Sequence, residues 1–158
     1  MSRVAEVLVG VRALGLDTAP LIYLIEKHPQ FLPTMRLVAR SIDEGRPRAA
    51  TSVVTLTEVL ARPMKLGRAD LVVAYRGLLE GNPSLQLVPI DGSLAVRAAE
   101  LRSRHGIRTP DALQIAAALR AGCDAFLTND TELRRVTELA VFLVSDLVEP
   151  SVESETGR

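Results

Sequence analysis

The sequence predicts an α/β fold built on a mainly parallel sheet. Short apolar runs alternate with longer stretches of helical periodicity, the order that parallel strands and crossover helices require. Turn formers fall between them: "DEGRPR", "GNP" and "HG" each close one periodic stretch before the next apolar run begins. With 47% hydrophobic but only 3% aromatic residues, the core is expected to be Val, Leu, Ile and Ala.

The elements follow in order. Val4, Val7, Leu8 and Val11 fit a helical stripe too short to assign, so residues 1–11 read as an N-terminal extension. "VRALGLD" predicts a strand ending at Asp17, and "TAPLIYLIEKH" a helix apolar on most sides and therefore buried. A helix from about Pro29 to Gly45 comes next, then a strand over "AATSVV". "TLTEVLARP" predicts a helix that Pro63 terminates, and Gly67 to Glu80 an amphipathic one. "SLQLVPI" reads as a strand and "DGSLAVRAAELRSRHG" as a capped helix. In "TPDALQIAAALRAG", Thr109 is positioned to cap, Pro110 to open the helix, and Asp111 to sit beside its positive end. "CDAFLTND" is a strand, "TELRRVT" a short helix and "LAVFLVS" a last strand. The main domain thus spans 12–148, and the polar tail 149–158 is expected to fray.

At 158 residues this is one domain, long enough for a proper core. Nineteen basic residues balance nineteen acidic ones, which argues against a protein that grips nucleic acid by bulk charge. The scarcity of aromatics speaks against a stacking platform for single strands. One cysteine and two histidines allow neither an internal disulfide nor a zinc cluster. No apolar run approaches membrane-spanning length and no signal peptide is visible, so the expected compartment is the cytoplasm. His28 and His105 read as surface residues, and Cys123 as a small core residue.

Four acids stand out once they are placed on these elements. Each has an ordinary local role when taken alone. Asp17 and Asp130 suit N-caps, Asp111 tunes a helix dipole, and Thr55 with Glu58 matches a capping box. Together they read differently, because Asp17, Glu58 and Asp130 each follow an apolar strand. The carboxyl ends of parallel strands share one edge, where ligands bind. Carboxylates gathered there repel one another unless protons or a cation intervene, and an all-oxygen set favours Mg²⁺ or Mn²⁺.

The ordered segments "LDTAPLIYLIE", "SVVTLTEVL" and "TPDALQIAAALRAGCDAFLTND" resemble the PIN-domain nucleases, in particular the VapC-type toxins of toxin–antitoxin pairs. The similarity runs from about Arg12 to Ser145. It implies a three-layer α/β/α fold with a mainly parallel sheet of four to five strands, and an endoribonuclease dependent on Mg²⁺ or Mn²⁺. The family's acidic quartet maps onto Asp17, Glu58, Asp111 and Asp130, with Asp17, Asp111 and Asp130 holding the metal. Its supporting hydroxyl maps onto Thr128 and the neighbouring polar residue onto Asn129. The sequence departs from the family at Ala19, where Ser or Asn is common.

The resemblance further implies an RNA substrate, a small antitoxin partner and a homodimer, with no membrane. An acidic cleft needs cationic guides for RNA, and Arg97, Arg102, Arg104, His105 and Arg108 precede Asp111 closely enough to be candidates. A solvated helix face explains those arginines equally well. Other readings were weighed against this one. A phosphoacceptor receiver domain needs a lysine after its last strand, and Lys27 and Lys65 are the only lysines. An Asp-x-Asp phosphatase fails because Thr18 and Ala19 follow Asp17. A PIN nuclease outside a toxin pair, acting in RNA processing or on structured DNA, stays open, as does a non-catalytic PIN binding module.

Overall fold

In the computed structural model, which describes residues 1–151, strand β1 (Ala13–Leu16) lies at the centre of a five-stranded sheet. The others are β2 (Arg48–Ser52), β3 (Leu85–Val88), β4 (Ala125–Thr128) and β5 (Ala140–Leu143), in the order β3-β2-β1-β4-β5. Every neighbouring pair is parallel, with Leu14 opposite Ala49 on one side and Ala125 on the other. The chain builds outward from β1 through β2 to β3, then returns to β4. The sheet therefore has its topological switch between β1 and β4, where an open parallel sheet leaves a crevice at its carboxyl edge.

Alternation along the strands feeds two cores. Leu14, Leu16, Ala49, Leu85, Ala125 and Leu127 point to one face. It is covered by α1 (Arg3–Leu8), α2 (Thr18–Ile25), α3 (Leu32–Asp43), α4 (Val53–Lys65) and α5 (Ala69–Glu80). Ala13, Ala50 and Phe126 point to the other, under α6 (Gly92–His105) and α7 (Thr109–Arg120). The result is the three-layer α/β/α architecture with seven α-helices among the described residues, plus 3-10 turns at Thr131–Arg135 and Val144–Leu147. No helix among them is long and apolar enough to cross a membrane.

The centre of the sheet is built for close approach. A Cβ placed on Gly15 would stand 2.7 Å from Ala118 Cβ and 2.7 Å from the Phe126 ring. Ala112, Ala116, Ala117 and Ala118 are all buried on α7, and Ala118 is the α7 side chain that meets Gly15. That contact fixes how far the start of α7, with Asp111, stands from the end of β1, with Asp17.

Three local expectations are corrected. Helix α4 starts at Val53, with Ser52 Oγ accepting from Val54 N–H at 3.2 Å, so Thr55 and Glu58 form no capping box. Thr55 is instead fully buried. Pro63 does not end that helix, which continues to Lys65 without the one backbone bond that the missing Pro63 N–H would have made. At α7 the cap position is Arg108, without a side-chain bond, so Thr109 is the first helical residue and not the cap.

The short N-terminal stripe forms α1, capped by Ser2 and packed through Val4 and Leu8. Arg3 N–H donates to Glu149 Oε1 at 2.6 Å at the start of the polar tail. The frayed tail expected over 149–158 lies, from 152 onward, outside the described residues.

The acidic cleft at the switch point

A cleft of ≈ 290 Å³ opens at the carboxyl edge of β1 and β4, and all four predicted acids line it: Asp17, Glu58, Asp111 and Asp130. Each arrives by a separate route. Asp17 is the N-cap of α2 directly after β1 and accepts from Thr18 N–H at 2.9 Å. Glu58 projects from α4, Asp111 from the first turn of α7, and Asp130 caps the 3-10 turn after β4 by accepting from Glu132 N–H at 3.0 Å. The capping roles of Asp17 and Asp130 are thus real, and compatible with membership of a site, because a carboxylate that uses one oxygen locally keeps the other.

Thr128, fully buried at the end of β4, joins two of them. Its hydroxyl donates to Asp17 Oδ2 at 2.7 Å and accepts from Asp130 N–H at 3.0 Å. Asn129 Oδ1 accepts from Ser145 N–H at 3.2 Å, and Asn129 Nδ2 donates to Tyr23 Oη at 3.2 Å. Arg108 lies across the mouth, its Nε 3.1 Å from Asp111 Oδ2 and its own side chain largely exposed.

The electrostatics are those of crowded like charges. Burial raises the Asp17 carboxyl above its ordinary range, the charges of Asp111 and Asp130 add to the rise, and hydrogen bonds from Thr128 and Thr18 oppose it. Burial also raises Glu58, helped by Asp17 and Asp111. Asp111 is raised by burial against the pull of Arg108. Native values above the unfolded ones of 3.8 and 4.5 mean that the folded state binds protons more readily. Stability from this source is fully present below the unfolded values and is lost as pH rises through the native ones. In chelator at neutral pH, Asp17→Asn is therefore expected to melt no lower than wild type, with any advantage closing toward pH 4. Melting curves in which wild type gains on the variant as pH rises would contradict a repulsive cluster.

The donor set suits a hard divalent cation. It offers carboxylate oxygens from four elements, hydroxyls from Thr18 and Thr128, and neither imidazole nor thiolate. Among the described residues no three acidic, histidine or cysteine side chains are drawn together closely enough to hold a metal ion by themselves. A hard cation here would rest on one or two carboxylates and keep several waters.

The other candidates are distributed unevenly. Of the arginines only Arg108 lines the cleft. Arg97 pairs with Glu100, Arg102 donates to the Ile107 carbonyl, and Arg104 approaches Glu138. His105 is not a surface residue: its side chain is 8% exposed and its Nε2 lies 2.6 Å from Glu138 Oε1. His28 is half-buried, its Nδ1 accepting from Gln30 and Phe31 N–H. Cys123 is buried, and its thiol is pushed up to about 11 by burial, as an inert core residue requires. Sequence reasoning missed Tyr23 and Thr18, which line the cleft, and Gln114 behind it. Gln114 carried a signal, being a lone amide on the Ala-rich face of α7.

The fold is shared with proteins of known structure. Three solved structures superpose over nearly their whole length. A VapBC complex from Salmonella typhimurium bound to DNA has a TM-score of 0.65 at 18% identity, covering 85% of this chain and 98% of that one. VapBC2 from Rickettsia felis, bound to a promoter DNA fragment, gives 0.64 at 17%, with coverages of 83% and 98%. A toxin–antitoxin complex from Klebsiella pneumoniae gives 0.63 at 21%, with 84% and 97%. No curated protein matches the chain. The profile of the PIN domain matches residues 15–139, a span that holds all four acids, and the chain therefore belongs to the PIN domain family.

Proposed function

We propose that this protein is a metal-dependent endoribonuclease and the toxin of a toxin–antitoxin pair. The observation that carries the reading is the convergence of Asp17, Glu58, Asp111 and Asp130 on one switch-point cleft, from four separate elements, with three of them raised by burial. PIN domains as a family are nucleases, and toxin–antitoxin complexes are among the solved structures that share this fold.

Asp17 and Asp111 would hold Mg²⁺ or Mn²⁺, with Asp130 and Glu58 contributing directly or through water. The ion supplies Lewis acidity at the phosphoryl oxygen and lowers the pKa of water at neutral pH. Thr128 keeps the Asp17 carboxylate turned into the cleft by holding Oδ2, and fixes the Asp130 backbone through the same oxygen. Glu58, the most exposed of the four and raised above its ordinary value, is suited to accept the proton of the attacking water. Arg108 offers its outward guanidinium to a backbone phosphate while its Nε restrains Asp111.

The same reading accounts for surplus apolar surface. On α5, Tyr75 and Leu79 are covered by the chain itself. Leu71, Val72 and Leu78 are only half-buried, while Val73, with Met64 and Leu66 at the end of α4, is exposed. Exposed apolar area of this kind marks interaction surface. An antitoxin segment packing on the early helices and reaching toward the acids would use one such surface, and a homodimer another. Expression alone and together with any small antitoxin-like gene found adjacent to this one, followed by mapping of RNA ends, tests both parts. Discrete new ends only in its absence are expected, together with co-purification of its product and a dimer in sedimentation. Unchanged RNA in both cultures, or a monomer at micromolar concentration that recovers no partner, would overturn the corresponding part.

A further inference from the structure

Gln114 stands on α7 one turn beyond Asp111, is 2% exposed, and lies outside the cleft lining. A buried amide needs partners for every polar atom, and here all are supplied. Its Nε2 donates to Thr18 Oγ1 at 3.2 Å and to Thr55 Oγ1 at 2.7 Å. Its Oε1 accepts from Ser52 Oγ at 2.7 Å and from Ser52 N–H at 3.3 Å. A backbone N–H only donates, so the atom facing Ser52 must be the oxygen, and the amide has one possible orientation.

That orientation sets the direction of the rest. Thr51 donates its one hydroxyl proton to the Leu16 carbonyl at 2.9 Å, so Thr55 is the donor in their 2.8 Å contact. A directed chain thus runs from α7 through the first turn of α4 to the last residue of β1, immediately before Asp17. On the other branch, Thr18, in the first turn of α2 beside Asp17, accepts from Gln114 and lines the cleft. Ser52, the cap of the helix that carries Glu58, is held by the same amide.

We propose that Gln114 is a positioning residue for the acidic site, its amide fixing the helix starts that carry Asp17, Glu58 and Asp111 relative to one another through Thr18, Ser52 and Thr55. The inference rests on the nuclease reading and deepens it. Gln114 touches neither cation nor RNA, and it acts only by holding the residues that do. A glutamine retained merely to satisfy the hydroxyls around it would affect stability alone.

The test uses the full chain and the variants Gln114→Met, Thr18→Val, Thr18→Ser and Gln114→Met/Thr18→Val. Mn²⁺ binding is read by water-proton relaxation, turnover on a fluorophore–quencher single-stranded oligoribonucleotide, and folding by circular dichroism. Gln114→Met and Thr18→Val are each expected to lose about 10–100-fold in Mn²⁺ affinity or kcat, with KM nearly unchanged. The double variant should be little worse than the poorer single one, because both act along one path. Thr18→Ser, which keeps the hydroxyl, should restore most of the loss. If Gln114→Met melts lower but binds Mn²⁺ and turns over like wild type while folded, the positioning role is overturned and the nuclease reading stands. Should that variant fail to fold, equal values for Thr18→Val and Thr18→Ser would overturn it instead. A wild type that neither binds Mn²⁺ nor cleaves removes the nuclease reading, and this inference with it.

Discussion

Asp17→Asn and Asp111→Asn variants are expected to lose RNA cleavage by about a hundred- to a thousand-fold, the scale of removing one preorganised charge-stabilising group from an active site. Each substitution keeps the size of the side chain and removes one negative charge. Asp17 uses one oxygen to cap α2 and the other to receive the Thr128 hydroxyl; an asparagine keeps the cap with its oxygen and meets Thr128 by donating its amide N–H to the hydroxyl oxygen. Folding should therefore survive, and relief of repulsion should leave the cation-free protein at least as stable. Asp111 differs, because its carboxylate also restrains Arg108. Its variant should additionally release that guanidinium and alter RNA affinity, visible as a change in KM that Asp17→Asn does not share. Full activity in both variants would remove the site from this cleft.

The second large effect lies in the sheet. Gly15→Ala is expected to destabilise the protein by about 1–3 kcal/mol, the usual cost of overpacking a core. For a domain of this size each kcal/mol lowers the melting temperature by about 2–4 °C. The added carbon would meet Ala118 Cβ, which is tied to the α7 backbone, and the Phe126 ring, which is enclosed on β4. Neither is the free end of a flexible chain, so relief requires α7 to move away from β1. Such a shift carries Asp111 away from Asp17, and cleavage should fall even at temperatures where the variant stays folded. Thermal melts with paired activity measurements separate the two losses. A variant with wild-type stability would show that α7 is not seated on Gly15 as described.

Much of this architecture was legible in the residues because parallel sheets write it plainly. The central strands β1 and β4 are short apolar runs, and the polar residue that follows each marks the functional edge, as "LGLD" and "FLTND" show. Asp17 and Asp130 could be found from that rule, since they fall just past β1 and β4, whereas Glu58 lies six residues past β2 inside α4 and Asp111 sits in the first turn of α7. Errors arose where local chemistry imitated a different motif. Thr55 and Glu58 have capping-box spacing, yet Val53 and Val54, read as strand by their β-branching, lie in the first turn of α4. Tertiary burial of Thr55 against Gln114 outweighed that propensity. His105 looked like a surface residue because nothing local announces Glu138, which is 33 residues away. The Tyr23 and Thr18 contacts were invisible for the same reason, since both depend on which strands become neighbours.

On the proposed function, the four acids act together as one divalent-cation site. Thermal denaturation of wild type and Asp17→Asn across a Mn²⁺ or Mg²⁺ titration addresses it without any assumption about the RNA. A cation that binds only the folded cluster stabilises it by mass action, by about 2.7 kcal/mol at a hundred times its dissociation constant. Wild type should gain melting temperature steadily with concentration, and Asp17→Asn should need a much higher concentration for the same gain. Identical responses in the two proteins, or none in wild type, would contradict the claim.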